Sequence, residues 1–316
     1  MENMKRLAAL CIAGAAAVLA VSCGKEGAVR EDGASKVEFT ASELQVKTVF
    51  GEKADGKYPV LWTTKEKVAL FYNSQTGGQT GGGQYADVLP SADGHTAGFS
   101  ASFTDDGNGS HSFYAMSPLS ALNWMGNEDW DGNGVNEKIL YANIPPDQIP
   151  VPGTCDEKAQ IVFAKEEFSE FPDKVDLTFS HMTAYGLITS LSLPEEATEI
   201  VGLTIESDKF LSGEIYCNYN TPETILCNAK TAQKYIYLDV NNGGLKAKTL
   251  ENVFFACTPQ TDGNDVFGEG DYLKFTVYTD TDTWVKTINF SADRTLAFKS
   301  GRISSFSVSA HGFEKQ

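Results

Sequence analysis

Two places in this chain combine residue types and spacing that could do chemistry. Cys23 closes the apolar run Leu7 to Val21, which follows the basic pair Lys5 and Arg6. An exposed thiol at that point is a candidate for acylation. Farther on, Asp129-Trp130-Asp131-Gly132-Asn133-Gly134 alternates oxygen side chains and ends in a glycine, as in the first half of an EF-hand-type calcium loop. Asp129, Asp131 and Asn133 would be ligands there, but the twelfth position is Leu140 instead of glutamate, so Glu137 would have to serve as the late carboxylate. The competing reading is a solvated acidic turn. Trp130 within this stretch and Trp124 shortly before it are candidates for stacking on sugar faces, with loop anchoring as the alternative. His95, His111, His181 and His311 stand in no HExxH motif, and no GxSxG elbow occurs. Carboxylates are too numerous for spacing to nominate an acid and a base, so no enzyme activity is expected.

The elements around Cys23 define its role. A short basic segment followed by an apolar, alanine-rich stretch too short to span a bilayer comfortably reads as a signal peptide over residues 1–22. Leu19 and Ser22 before Cys23 resemble the lipobox at which bacterial lipoprotein signals are cut and the new terminal cysteine is acylated. Removing residues 1–22 takes away Lys5, Arg6 and Glu2, moving the formal charge from -17 to -18. Such an acidic chain lacks the basic surface that nucleic acid or anionic lipid requires. Beyond Cys23, Cys155, Cys217, Cys227 and Cys257 remain, an even count with no CxxC spacing that would permit disulfides, for instance between Cys217 and Cys227 across a hairpin, though buried free thiols are the favoured reading.

Residues 23–36 are rich in small and charged types and are expected to form a flexible tether. Short strand-like runs separated by Gly and Asp then recur to the end of the chain, which indicates an all-β protein. Its length suggests two domains, 37–173 and 174–316. The glycine-rich stretch Ser74 to Gln84 lacks the Gly-Lys-Ser/Thr ending of a phosphate cradle and reads as a hairpin loop. Pro145, Pro146, Pro150 and Pro152 exclude a central strand and predict an edge element or a cross-over. Asn241-Asn242-Gly243-Gly244 and Asp280-Thr281-Asp282-Thr283 are expected as hairpin turns.

Several short signatures, in order, resemble the fimbrillin-like lipoproteins of Bacteroidales. They are Phe39-Thr40-Ala41-Ser42, Leu61-Trp62 through Lys67-Val68-Ala69-Leu70-Phe71, Phe113 to Pro118, and Ile144-Pro145-Pro146-Asp147-Gln148. Leu177 to Ala184 around His181, Phe254-Phe255 to Pro259-Gln260, and Phe298 to Arg302 follow. The resemblance implies two tandem transthyretin-like, Greek-key β-sandwich domains behind a lipoprotein signal peptide. It also implies a structural, tip or adhesive pilus subunit assembled by β-strand exchange, anchored in the outer membrane and displayed at the cell surface or in a fimbrium. Its partners would be other fimbrial subunits and host or bacterial surface glycans or proteins. Polymerisation would require removal of the first strand at a nearby basic residue, for which Arg30, Lys36 and Lys47 are candidates. The alternative is a monomeric surface lipoprotein that binds carbohydrate or a host ligand.

Overall fold

The computed structural model describes residues 34–41, 49–50, 60–63, 67–74, 83–105, 107, 109–129, 134, 137–218, 221–259, 267–293 and 295–316. Cys23, Arg30, Lys47, Trp130, Asp131, Asn133 and the core of the glycine-rich loop lie outside these residues. Among the described residues the chain is strand and loop, apart from two single-turn 3-10 helices, Leu119–Ala121 and Glu157–Ala159. The protein is all-β, with its sheets stacked in sandwich fashion.

The first sandwich follows from strict alternation. In Ala97–Thr104 the residues Ala97, Phe99, Ala101 and Phe103 are buried, while Gly98, Ser100, Ser102 and Thr104 face outward. The first strand, Ala34–Ala41 (hereafter β1), has the same period, with Val37, Phe39 and Ala41 inward and Lys36 and Glu38 outward. These strands lie in one sheet, ordered 174–177, β1, 97–104, 89–90. The facing sheet is ordered 179–181, 162–168, 111–117, 67–74, 84–87. Phe39 sits at the centre of the shared core, stacked on Phe99 at 5.7 Å between ring centroids and edge-on to Phe113 at 5.8 Å. Trp62 packs edge-on against Phe179 at 5.2 Å.

The strand His111–Ser117 breaks the alternation, since all its residues are buried. Phe113 and Ala115 face the first core. Tyr114 and Met116 face a second apolar cluster with Leu140, Ala142, Ile144, Ile215 and Ile225. That cluster lies under a further sheet, ordered 221–227, 213–218, 137–144, 122–128. A strand covered on both faces needs apolar side chains of both parities, as Phe113-Tyr114-Ala115-Met116 supplies.

The second sandwich pairs a sheet ordered 147–148, 235–238, 200–207, 272–279, 283–289, 314–315 with one ordered 249–257, 184–192, 303–308. Its core includes Leu203, Ile205, Phe255, Phe267, Phe275 and Phe298. The proline-rich passage contributes only Asp147–Gln148 to a sheet, as an edge strand parallel to Tyr235–Leu238, in keeping with its proline content.

Three local expectations are corrected. Ala34, Ser35 and Lys36 belong to the strand and not to the tether, being paired with Thr104, Phe103 and Ser102. The Asn241 to Gly244 turn is no hairpin, because the strands it joins, Tyr235–Leu238 and Thr249–Cys257, lie in different sheets. A side chain at Gly243 would meet the Pro150 carbonyl oxygen at 1.8 Å, so this turn is shaped by the proline passage beneath it. Pairing also crosses residue 173, since 174–177 and 179–181 complete the first sandwich and 213–218 pairs with 137–144. The Asp280 to Thr283 turn does close a hairpin, between Tyr272–Thr279 and Thr283–Asn289.

Candidate functional site

The position of β1 in its sheet is the feature with the clearest mechanical consequence. It pairs antiparallel with Ala97–Thr104 along its full length, from Ala34 opposite Thr104 to Ala41 opposite Ala97. On its other side it pairs parallel with Lys174–Leu177, from Glu38 opposite Lys174 to Ala41 opposite Leu177. It is therefore an interior strand contributed by the first described segment, so it can leave without drawing another strand through the fold. The vacated space would be one strand wide, roughly 9.5 Å between the two neighbours. Its floor would be Phe99, Phe103, Phe113, Val175 and Leu177, all in the core that β1 covers.

On the outer side of the same strand lies a cleft of about 600 Å³. One wall carries Lys36, Glu38 and Thr40 of β1, the floor holds Gly98 and Ser100, and the opposite wall holds Tyr85, Asp87 and Leu89. Lys36 pairs with Glu38 at 3.2 Å, and Lys67 with Asp87 at 3.0 Å. Tyr85 and Leu89 are 62% and 69% exposed.

No protein-family model matches the sequence, and no curated protein matches it. Solved structures similar to the chain include proteins of Bacteroides and Parabacteroides. A protein of Bacteroides ovatus provisionally assigned to cell adhesion shares 12% identity over 89% of this chain and 94% of its own, with a TM-score of 0.49. One of Bacteroides fragilis, provisionally assigned likewise, shares 12% over 89% and 97%, with a TM-score of 0.45. A fimbrial assembly protein of Parabacteroides distasonis shares 10% over 89% and 94%, with a TM-score of 0.42.

The residues singled out by sequence are spread over the molecule. Lys36 lies inside the β1 ladder, where a protease could take the backbone only after unpairing the strand. Asp129 is exposed just beyond the strand Leu122–Glu128, and its Oδ2 accepts a hydrogen bond from the Gly134 backbone N–H at 3.0 Å. Gly134 has φ +86°, a conformation that favours glycine at this bend. Glu137 opens the next strand opposite Glu128. Among the described residues, no three His, Cys, Asp or Glu side chains converge as a metal site. Trp124 stands opposite Tyr141 in the same hairpin. Cys155, Cys217 and Cys257 are buried, and Cys227 is half-buried.

His181 has a structural setting. Its Nδ1 shares a 2.9 Å hydrogen bond with the Tyr185 hydroxyl, which also accepts from Thr183 Oγ1 at 3.0 Å. Ser300 Oγ donates to the His181 carbonyl, and Gly301 donates its N–H to Thr183 at 2.9 Å. Two of the sequence signatures, Leu177 to Ala184 and Phe298 to Arg302, thus meet in space. Burial pushes the Tyr185 phenol well above its ordinary range.

A residue that spacing did not reveal as special joins another pair of signatures. Gln148 donates from Nε2 to the Ala256 carbonyl at 2.8 Å and accepts at Oε1 from the Ala256 N–H at 3.0 Å. Its amide thus imitates a strand residue beside Thr249–Cys257. A buried amide after a proline pair is the signal that could have marked it. The cleft left a fainter trace: Tyr85, Asp87 and Leu89 share one parity while Ala86 and Val88 share the other, placing the larger apolar groups outside.

Proposed function

We propose that this chain is a fimbrillin-like cell-surface protein, exported as a lipoprotein through acylated Cys23, and a structural or adhesive subunit of a fibre built by strand exchange. The observation that carries this reading is the interior position of β1. Val37 and Phe39 are buried almost completely, and burial of such side chains contributes roughly 1.5–3 kcal/mol each. A replacement strand would need apolar residues at alternate positions, matching Val37, Phe39 and Ala41, because slipping by one residue turns them to solvent. Main-chain hydrogen bonds to both neighbours would supply affinity, and the inward pockets would supply register.

The C-terminal end is held as an edge. Glu314–Lys315 pairs with Thr283–Asn289, Phe313 is buried, and Lys315 contacts Asp282 at 2.7 Å. Of the basic residues near β1, cutting after Lys47 would detach the whole strand, whereas cutting after Arg30 would release the lipid and leave β1 in place. The partners are then other subunits, with outer-membrane attachment before processing.

Mass spectrometry of the mature N-terminus of surface-extracted protein tests this. The expected assembled form begins after Lys47, and retention of acylated Cys23 in every species would overturn strand exchange. A second reading is a monomeric surface lipoprotein that keeps Cys23 and β1 and binds carbohydrate or a host ligand. The open cleft on the outer face of β1 favours it.

A further inference from the structure

Gly98 occupies a strand position that has no steric need for glycine. A Cβ there would meet only the Phe39 carbonyl oxygen, at 4.0 Å. At other strand glycines the need is evident: a Cβ on Gly186 would lie 2.0 Å from the Phe255 ring, and one on Gly202 would lie 2.7 Å from the Tyr237 hydroxyl. Glycine weakens a strand, and one free of local crowding is expected where something outside approaches the backbone closely. Here that outside space is the cleft of about 600 Å³, a size within the range of small-ligand sites.

The chemistry of the walls points to the kind of ligand. Tyr85 offers a largely exposed ring and Leu89 an exposed apolar patch. Lys36 and Lys174 oppose Glu38 and Asp87 around the rim, so the charges balance and an ionic ligand gains no net attraction. Donors and acceptors are both present, which suits a neutral ligand bearing many hydroxyls and a flat apolar face. We propose that this cleft binds a neutral oligosaccharide of about two or three rings, stacked on Tyr85 over Gly98, and only while β1 is in place. The second clause follows because Lys36 and Glu38 belong to β1 itself, so removing that strand removes a wall. Sugar binding and the vacant-groove state are thereby mutually exclusive, and an exchanged strand would restore the wall only if it carried equivalent outward side chains. The inference rests on the reading of the chain as an adhesive surface protein, but not on whether fibres form.

The probe is a printed array of neutral oligosaccharides, presented to the detergent-solubilised full chain with β1 intact. The best array binder is then titrated against the chain and its variants. Tyr85→Ala and Gly98→Val are each expected to weaken binding about ten-fold or more without lowering the melting temperature, since Tyr85 is exposed and the space over Gly98 is open. Tyr85→Phe should keep the affinity. Absence of any array binding, or binding unchanged in both Tyr85→Ala and Gly98→Val, would overturn the site. Equal affinity in chains whose β1 has been removed would overturn the coupling. The N-terminal mass spectrum is independent of all three outcomes, so failure of the sugar site is distinguishable from failure of the assembly reading.

Discussion

Single residues hold the second sandwich together in ways that composition conceals. Gly186 faces the Phe255 ring so closely that Gly186→Ala, ordinarily mild, is expected to cost about 1–3 kcal/mol, because the buried ring cannot yield. Urea unfolding would show this as a lowered midpoint. Gln148→Ala removes both hydrogen bonds to Ala256 and leaves a buried N–H and C=O unpaired, for an expected loss of about 2–3 kcal/mol by the same measurement. Tyr185 adds a pH dependence whose sign is fixed by its raised folded-state pKa. The protonated phenol is favoured in the fold, so its contribution is complete below the unfolded value of about 10 and is lost as pH rises beyond it. Tyr185→Phe should lose less stability than the parent between about pH 8 and pH 11, read from urea midpoints at each.

At the scale of elements, legibility depended on how many faces a strand buries. Strands covered on one face announced themselves: β1, Ala97–Thr104 and Tyr272–Thr279 alternate cleanly and pair as alternation requires. His111–Ser117 was visible as apolar, but its place between two clusters was not, since a run apolar on both parities does not say what covers each face. The Asn241 turn misled because residues tolerant of positive φ mark a reversal without saying whether the flanking strands share a sheet. The same burial bears on the thiols. Burial raises the Cys257 pKa well above its ordinary value, and Cys155, Cys217 and Cys257 are closed to solvent. Alkylation of these three under native conditions should be negligible and become complete on unfolding, counted by intact mass. For β1 itself, Phe39→Ala should cost about 3–5 kcal/mol, the range for truncating a buried aromatic, and should loosen this strand first. Hydrogen exchange resolved by peptide would locate that loosening.

At the scale of the whole molecule, sequence order made the all-β architecture visible, while the division between its halves was not a matter of order at all. Strands 174–177 and 179–181 return to the first sandwich, and 213–218 crosses over to pair with 137–144, each covering an otherwise open sheet edge. Long-range pairing of this kind leaves no local signature. It also explains why the signatures around His181, Phe254 and Phe298 are separated in sequence yet adjacent in the fold. The parallel partner of β1 comes from beyond residue 173, so a fold that is otherwise finished can hold this first strand as a separate piece. The most direct measurement is native mass spectrometry of the purified chain cut after Lys47, with and without excess isotope-labelled peptide spanning Ala34–Ala41. The account predicts loss of the β1 segment, growth of oligomers, and suppression of that growth as labelled peptide takes the vacant place. A cut chain that stays monomeric, keeps its own β1 and never incorporates the peptide would contradict it.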